Sequence, residues 1–394
     1  MPGRAIIAGA GIAGLTAAIA LSQAGFGVAI YERADTLEEF GAGLQLTPNA
    51  TRILSRLGVL EQVLRFASRP RAVIVLRGSD NDELMRMPLD DAERRWGAAY
   101  LVIHRADLQR ALVEAVRAQW SVELSLGTTI LDFADNGTHL SVRFTNGLAE
   151  GREDADLLVG ADGVRSRVRD QLGFGAQDHA EFAGRVAYRA IVNADDDDTH
   201  STRNNIILRL GRNAHLVQYP LRRGSIINLV ATITATAPAG AADHPRDDAA
   251  QHFVLQHAFA GWSNEARSLM NAPIQWRVWP LYCRPPISSF SLGRVALVGD
   301  AAHPMVPFLA QGAAQAIEDA GALGRVLAQA QDIPAAVSIY SRDRVGRAAR
   351  VQREALTLGR IYHMSGPLAF ARDVTMRMLG PRRLIERYDW LYGA

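Results

Sequence analysis

Three glycines and one acid near the start of the chain have the spacing of a phosphate cradle. Gly9, Gly11 and Gly14 form Gly-x-Gly-x-x-Gly, with Ala13 inside it, directly after the apolar run 4–8; Glu32 follows a second apolar run, 27–31. In such a turn the first glycine permits a tight bend, the second lets the backbone approach a pyrophosphate, and the third lets helix pack closely on strand. The helix that begins there offers free N–H groups and the positive end of its dipole to phosphate. Glu32, with Arg33 beside it, is placed to accept hydrogen bonds from ribose hydroxyls and to disfavour a 2′-phosphate. A secretory signal would need an unbroken apolar core and a basic leader, and these residues provide neither.

A second group lies on the run His215-Leu-Val-Gln-Tyr219, where the two-residue period of a strand sets His215, Val217 and Tyr219 on one face and Leu216 and Gln218 on the other. Imidazole can exchange a proton near neutral pH. With a phenol hydroxyl nearby and an apolar spacer between them, the pair suits a pocket for a phenol. Two more apolar runs end on acids at turns: 156–163 delivers Asp162-Gly163, with Ser166 and Arg169 opening a helix behind it, and 293–300 ends on Gly299-Asp300. Beyond the second lies the glycine-bearing loop Pro307-Phe-Leu-Ala-Gln-Gly312.

Composition narrows the class. With 394 residues, 48% hydrophobic and 21% charged, the chain can bury a large core, and about two domains is the expectation. A net charge of +2 with scattered basic residues argues against nucleic acid, and no apolar stretch is long enough for a membrane span. All 43 basic residues are Arg, which a GC-rich coding sequence explains. The single cysteine, Cys283, rules out an internal disulfide and a cysteine metal site; it reads as structural, and a cytoplasmic location follows. The acid run 195–198 reads as a solvated turn, so no metal is expected.

The elements that must position these groups follow from local pattern. After a glycine-bearing loop over 40–49, Asn49 or Thr51 caps a helix; 72–76 is a strand, 84–95 is charged and irregular, and 100–104 is a strand that feeds a helix capped by Asp107. Short strands at 122–126, 129–132 and 140–144 are separated by Asp-Asn-Gly and Asn-Gly turns. Four successive strands, 186–192, 205–210, 215–220 and 226–233, imply an antiparallel sheet. A loop at 238–245, a helix at 249–260 and a helix at about 313–329 complete the outline.

The glycine turn, the Asp-Gly stretch and the Gly-Asp stretch, in this order and at these separations, resemble the single-component FAD-dependent aromatic hydroxylases of the para-hydroxybenzoate hydroxylase type. The resemblance covers nearly the whole chain. Gly41-Ala-Gly43, His104-Arg105-x-x-Leu108 and Tyr388-Asp-Trp390 point to the branch of salicylate hydroxylases, 3-hydroxybenzoate 6-hydroxylases and 6-hydroxynicotinate 3-monooxygenases. It implies an α/β fold, a doubly wound Rossmann-like FAD-binding domain with an inserted antiparallel-sheet substrate domain and C-terminal helices. The expected division is 1–70, 100–180 and 285–394 for FAD, and 71–99 and 181–284 for substrate.

It further implies FAD as cofactor, NADH or NADPH as co-substrate, and insertion of one atom of dioxygen into a small aromatic acid through a flavin hydroperoxide. Asp300 would take the ribityl hydroxyls, Arg105 the body of FAD, and Pro307, Leu309, Ala310, Gln311 and Gly312 would lie against the flavin ring; Asp162 joins the cofactor set. His215 and Tyr219 match a His and a Tyr beside the substrate in 3-hydroxybenzoate 6-hydroxylases and are the catalytic candidates. In one departure, Pro307 stands where those enzymes carry Gln, so the substrate loses a side-chain partner. No second dinucleotide turn follows residue 160, so nicotinamide is expected to bind in transit across a groove. A flavin oxidoreductase without oxygen insertion, and a flavin-binding protein without turnover, are the alternatives, and a homodimer is left open.

Overall fold

The computed structural model describes residues 3–37, 43–175, 178–194, 204–236 and 249–393. The acid run 195–198, residues 40–42 of the loop 40–49 and the loop 238–245 lie outside them, and the rest of the loop 40–49 is instead the strand Gly43–Leu46 and the start of the helix Pro48–Arg56. The first apolar run forms the strand Arg4–Ala8, the centre of a six-stranded sheet in the order Ser291–Leu292, Val295–Leu297, Leu157–Gly160, Arg4–Ala8, Gly27–Tyr31, Val122–Ser125. Its pairs are parallel except at the Ser291–Leu292 edge. Strands such as Leu157–Gly160 are buried along their whole length, which is why they read as unbroken apolar runs. Helices Ile12–Gln23 and Gly312–Leu327 pack against each other, with Gly324 admitting the Ala20 backbone, and bury the apolar core of this sheet.

The second sheet has seven strands in the order Arg277–Cys283, Glu181–Asn193, Ile226–Thr234, Ala214–Leu221, Ile206–Gly211, Ala72–Arg77, Glu83–Pro88. Only Ile206–Gly211 and Ala72–Arg77 run parallel, because the chain leaves for the first sheet between them. A three-stranded meander, Thr129–Asp135, Leu140–Thr145 and Glu150–Ala155, stands beside the first sheet.

Several local expectations are corrected. The charged stretch 84–95 contains the strand Glu83–Pro88 and the helix Ala92–Trp96; Leu84 and Met87 are buried while Glu83, Arg86 and Pro88 face out. Glu150–Ala155, an edge strand with polar residues on its open side, was not anticipated, nor was Arg277–Cys283. Thr47, not Asn49 or Thr51, occupies the cap position of helix Pro48–Arg56. In helix Arg105–Arg117 the cap is His104, whose Nδ1 accepts from the Ala106 N–H at 3.2 Å; Asp107 is buried in the first turn and binds Arg222 and Arg110. Ser166 does cap its helix, accepting from the Arg169 N–H at 2.9 Å.

The C-terminal third is helical. Helix Ile333–Tyr362 lies along the Gly312–Leu327 helix and ends at the seven-stranded sheet; helix Gly366–Arg387 then packs on strand Glu83–Pro88.

Candidate active site

The glycine turn is built as its spacing requires. Gly9 takes φ +102°, and a Cβ there would come 2.7 Å from the Ala161 carbonyl oxygen. A Cβ on Gly14 would lie 1.9 Å from the Gly9 carbonyl oxygen, so only glycine lets the helix sit this close to the strand. Gly11 differs: no atom lies within 4 Å of its Cβ position, so a phosphate can approach the N–H groups of the helix start. Glu32 accepts the Ala10 N–H at 2.7 Å and the Ala34 N–H at 2.9 Å, one on each carboxylate oxygen, and each oxygen retains a lone pair for a ribose hydroxyl. Arg33 is exposed beside it.

From this turn a cavity of about 370 Å³ runs towards the seven-stranded sheet. Gly11, Ala13, Arg105, Asp300, Pro307, Leu309, Ala310 and Gly312 line one end, and His215 and Tyr219 line the other. Asp300 opens to the cavity, and burial raises its pKa while His303 and Arg105 pull it down. Ala310 adopts φ +53°, which turns the 307–312 loop along the cavity. The residues present therefore fit an FAD laid from the glycine turn past Asp300 to this loop.

Two expected cofactor residues direct their side chains elsewhere. The Asp162 carboxylate accepts from Ser166 Oγ at 2.5 Å, the Arg167 N–H at 2.8 Å and the Val168 N–H at 3.2 Å; it caps the helix Arg167–Leu172, while Ala161 and Gly163 line the cavity. The Gln311 side chain is buried, donating to Thr47 Oγ1 at 2.9 Å and accepting from Asn49 Nδ2 at 3.1 Å. It belongs to a buried network that holds the loop from behind. There Asp319 accepts from the Gly299 N–H (2.9 Å), His303 Nε2 (2.5 Å) and Arg344 Nε (2.7 Å), and Glu318 pairs with Arg344 and Arg347. Burial works to raise the Asp319 pKa, but His303 and Arg344 outweigh it and hold the carboxyl below its usual range.

Strand Ala214–Leu221 presents His215, Val217 and Tyr219 to the cavity, the face expected from the two-residue period. Leu216 and Gln218 point away, and Gln218 accepts from Arg209. Across the sheet one row of neighbours floors the cavity: Arg189, Val230, Val217, Leu208, Val75 and Met85, a cation at the edge of an apolar surface. The Tyr219 ring rests on Gly43, where a Cβ would come 2.4 Å from Cε2; the Gly43 N–H in turn donates to Asn228 Oδ1 at 2.7 Å. Tyr219 is buried and its pKa raised, so its hydroxyl stays protonated.

Sequence reading missed Arg189, although it is the one charged side chain within the apolar run 186–192. Its Nε is buried without a hydrogen-bond partner, its guanidinium lies 5.1 Å from the Trp279 ring, and burial, then Arg105, lowers its pKa. His363, which bonds His215 Nδ1 at 2.7 Å, gave no local signal because it follows the end of a long helix 148 residues away.

Comparison with known proteins agrees with this geometry. The family described as FAD binding domain matches residues 4–355. The chain is 36% identical over 392 residues to 3-hydroxybenzoate 6-hydroxylase of Polaromonas naphthalenivorans (strain CJ2), covering 98% of this chain and 95% of that protein. It is 34% identical over 355 residues to 6-hydroxynicotinate 3-monooxygenase of Bordetella bronchiseptica (strain ATCC BAA-588 / NCTC 13252 / RB50), covering 89% and 90%. Among solved structures, Klebsiella pneumoniae HpxO complexed with FAD and uric acid superimposes with a TM-score of 0.88 at 26% identity, over 99% of this chain and 96% of that one. A salicylate hydroxylase substrate complex gives 0.85 at 25% identity, over 100% and 96%. With both the cradle and these relatives in agreement, the chain belongs to the FAD-binding-domain family and is an FAD-dependent aromatic hydroxylase.

Proposed function

We propose that the protein hydroxylates a small phenolic acid, of the salicylate or 3-hydroxybenzoate kind, with reduced nicotinamide and dioxygen as co-substrates. The observation that carries the substrate class is Arg189 at the edge of the apolar floor, half-buried, with its Nε buried and without a hydrogen-bond partner. A buried charge needs a counter-charge, and a substrate carboxylate supplies it. Arg189 lies two strands from Val217, roughly 10 Å between backbones, and an arginine side chain bridges part of that span to leave room for one ring. The phenol oxygen then meets His215 and Tyr219, while Pro307 offers the substrate no side-chain donor.

FAD supplies the hydride acceptor and the activation of dioxygen, chemistry that side chains cannot perform. Gly9, Gly11, Ala13, Gly14 and Glu32 would hold its phosphates and ribose, Asp300 its ribityl hydroxyls, and the 307–312 backbone its ring. Val217, Val230 and Leu208 exclude water from the reacting face. The division we infer is 1–70, 100–180 and 285–394 for FAD, with 71–99 and 181–284 for substrate. A cytoplasmic location, where reduced nicotinamide is generated, suits this chemistry.

The test pairs aromatic acids with the corresponding neutral phenols and measures NADH and NADPH oxidation and hydroxylated product. Arg189→Met is expected to raise KM for acids by about ten- to a hundredfold, the worth of a charged hydrogen bond, and to leave neutral phenols unchanged. Equal effects on both would remove Arg189 as the carboxylate's partner.

A further inference from the structure

His215 is 3% exposed, and its Nδ1 lies 2.7 Å from Nε2 of His363, leaving its own Nε2 as the ring nitrogen available to the cavity. His363 uses its other nitrogen, Nδ1, to accept from Arg185 Nε at 3.4 Å, and the same Nδ1 lies 3.0 Å from Thr234 Oγ1. A guanidinium never gives up its proton in this setting, so its role in that bond is settled: Arg185 donates and His363 Nδ1 accepts. The Thr234 hydroxyl rotates to donate to the same nitrogen.

The remaining assignments follow in sequence. With Nδ1 an acceptor, neutral His363 carries its proton on Nε2 and donates it to His215 Nδ1. With its Nδ1 an acceptor, neutral His215 carries its proton on Nε2, pointing at the substrate. The reverse order would set the His363 Nδ1–H against the Arg185 N–H. Arg185 is itself fixed, donating to the carbonyls of Ala183 (3.3 Å) and Gly359 (3.2 Å) and lying 5.5 Å from the Phe308 ring. Both imidazoles stay neutral: burial, then His363 and Arg185, push His215 well down, and burial, then Arg185 and Arg372, push His363 to about 3.

We propose that Arg185 and His363 are positioning residues that lock His215 as the Nε2–H tautomer, so that His215 meets the substrate as a hydrogen-bond donor to a phenolate oxygen and not as a base. This rests on the reading of the cavity as a phenol site. Together with the Tyr219 hydroxyl, the cavity then offers two donors to one ring oxygen, and it selects the ionised phenol whose electron-rich ring is the reactive form.

The experiment uses the FAD-loaded enzyme with ¹⁵N-labelled histidine. Long-range ¹H–¹⁵N correlation reports which nitrogen of His215 carries the proton, the signal being assigned by its loss in His215→Gln. Wild type is expected to show Nε2–H, Arg185→Lys to keep it, and Arg185→Met to admit Nδ1–H. Binding of a series of phenols of graded acidity, followed by flavin absorbance, should tighten as the ionised fraction rises, and Arg185→Met should weaken phenolate binding about tenfold, one charge-assisted hydrogen bond. An Nδ1–H tautomer in wild type, or an unchanged tautomer in Arg185→Met, overturns the lock whatever ligand binds. An Nε2–H tautomer in a protein that binds no phenol overturns the phenol reading and leaves the lock standing.

Discussion

Glu32 illustrates how one side chain can serve structure and ligand together. Its carboxylate already ties the glycine turn to the residues after the second strand through the Ala10 and Ala34 N–H groups, and its remaining lone pairs are the ones proposed to take the ribose hydroxyls. Glu32→Lys removes both and places a cation beside them, so the variant is expected to purify with little or no FAD, read from the flavin absorbance per protein; full loading would take Glu32 out of the ribose site. At the other end of the cavity, His215→Ala removes a donor from the phenol oxygen. Loss of one such donor costs about two to three orders of magnitude in the step it serves. Hydroxylated product per NAD(P)H should fall, with hydrogen peroxide making up the balance, and Tyr219→Phe should act in the same direction. Gln218→Leu, on the opposite face, should lower stability through its lost bond with Arg209 and leave the coupling ratio intact; the reverse pattern would invert the strand's assignment.

At the scale of elements, two helices fix the 307–312 loop, proposed to lie against the flavin ring. Helix Gly312–Leu327 carries Glu318 and Asp319, and helix Ile333–Tyr362 brings Arg344 and Arg347 to them. Removing one partner of a buried pair leaves an uncompensated charge and costs about 3–5 kcal/mol, so Arg344→Met should unfold at lower denaturant and hold FAD weakly. The sign of its pH dependence follows from Asp319: a carboxyl held below its unfolded value stabilises above that value and loses the contribution as pH falls through the folded one. Acid unfolding should therefore begin at higher pH in Arg344→Met than in wild type. This network was not legible in the sequence, because Arg344 and Arg347 reach Glu318 and Asp319 from the following helix and no local pattern pairs them. The glycine turn was legible because its reasons are local, Gly14 against Gly9 above all. The cavity strands 206–234 were legible from alternation, while Glu83–Pro88 was hidden by the charges on its open face, and Asp107 was misread because its partner Arg222 comes from a distant hairpin.

Across the whole molecule, the cavity joins the glycine turn of the six-stranded sheet to a floor on the seven-stranded sheet, and on the proposed reading the two divide the work between cofactor and substrate. On the proposed reading reduced nicotinamide binds in transit, and its oxidation is tied to the presence of a ring to hydroxylate. NAD(P)H oxidation is expected to be slow alone and to rise severalfold or more with a suitable phenolic acid; fast oxidation indifferent to aromatics would contradict this gating. The claim on which everything else depends is that an oxygen atom from dioxygen enters the ring. Under ¹⁸O₂, with the aromatic acid that most accelerates NAD(P)H oxidation, mass spectrometry of the product should show one ¹⁸O in the new hydroxyl for each NAD(P)H consumed in coupled turnover. Product carrying oxygen from water, or NAD(P)H oxidised with hydrogen peroxide as the only outcome for every aromatic that binds, would contradict it.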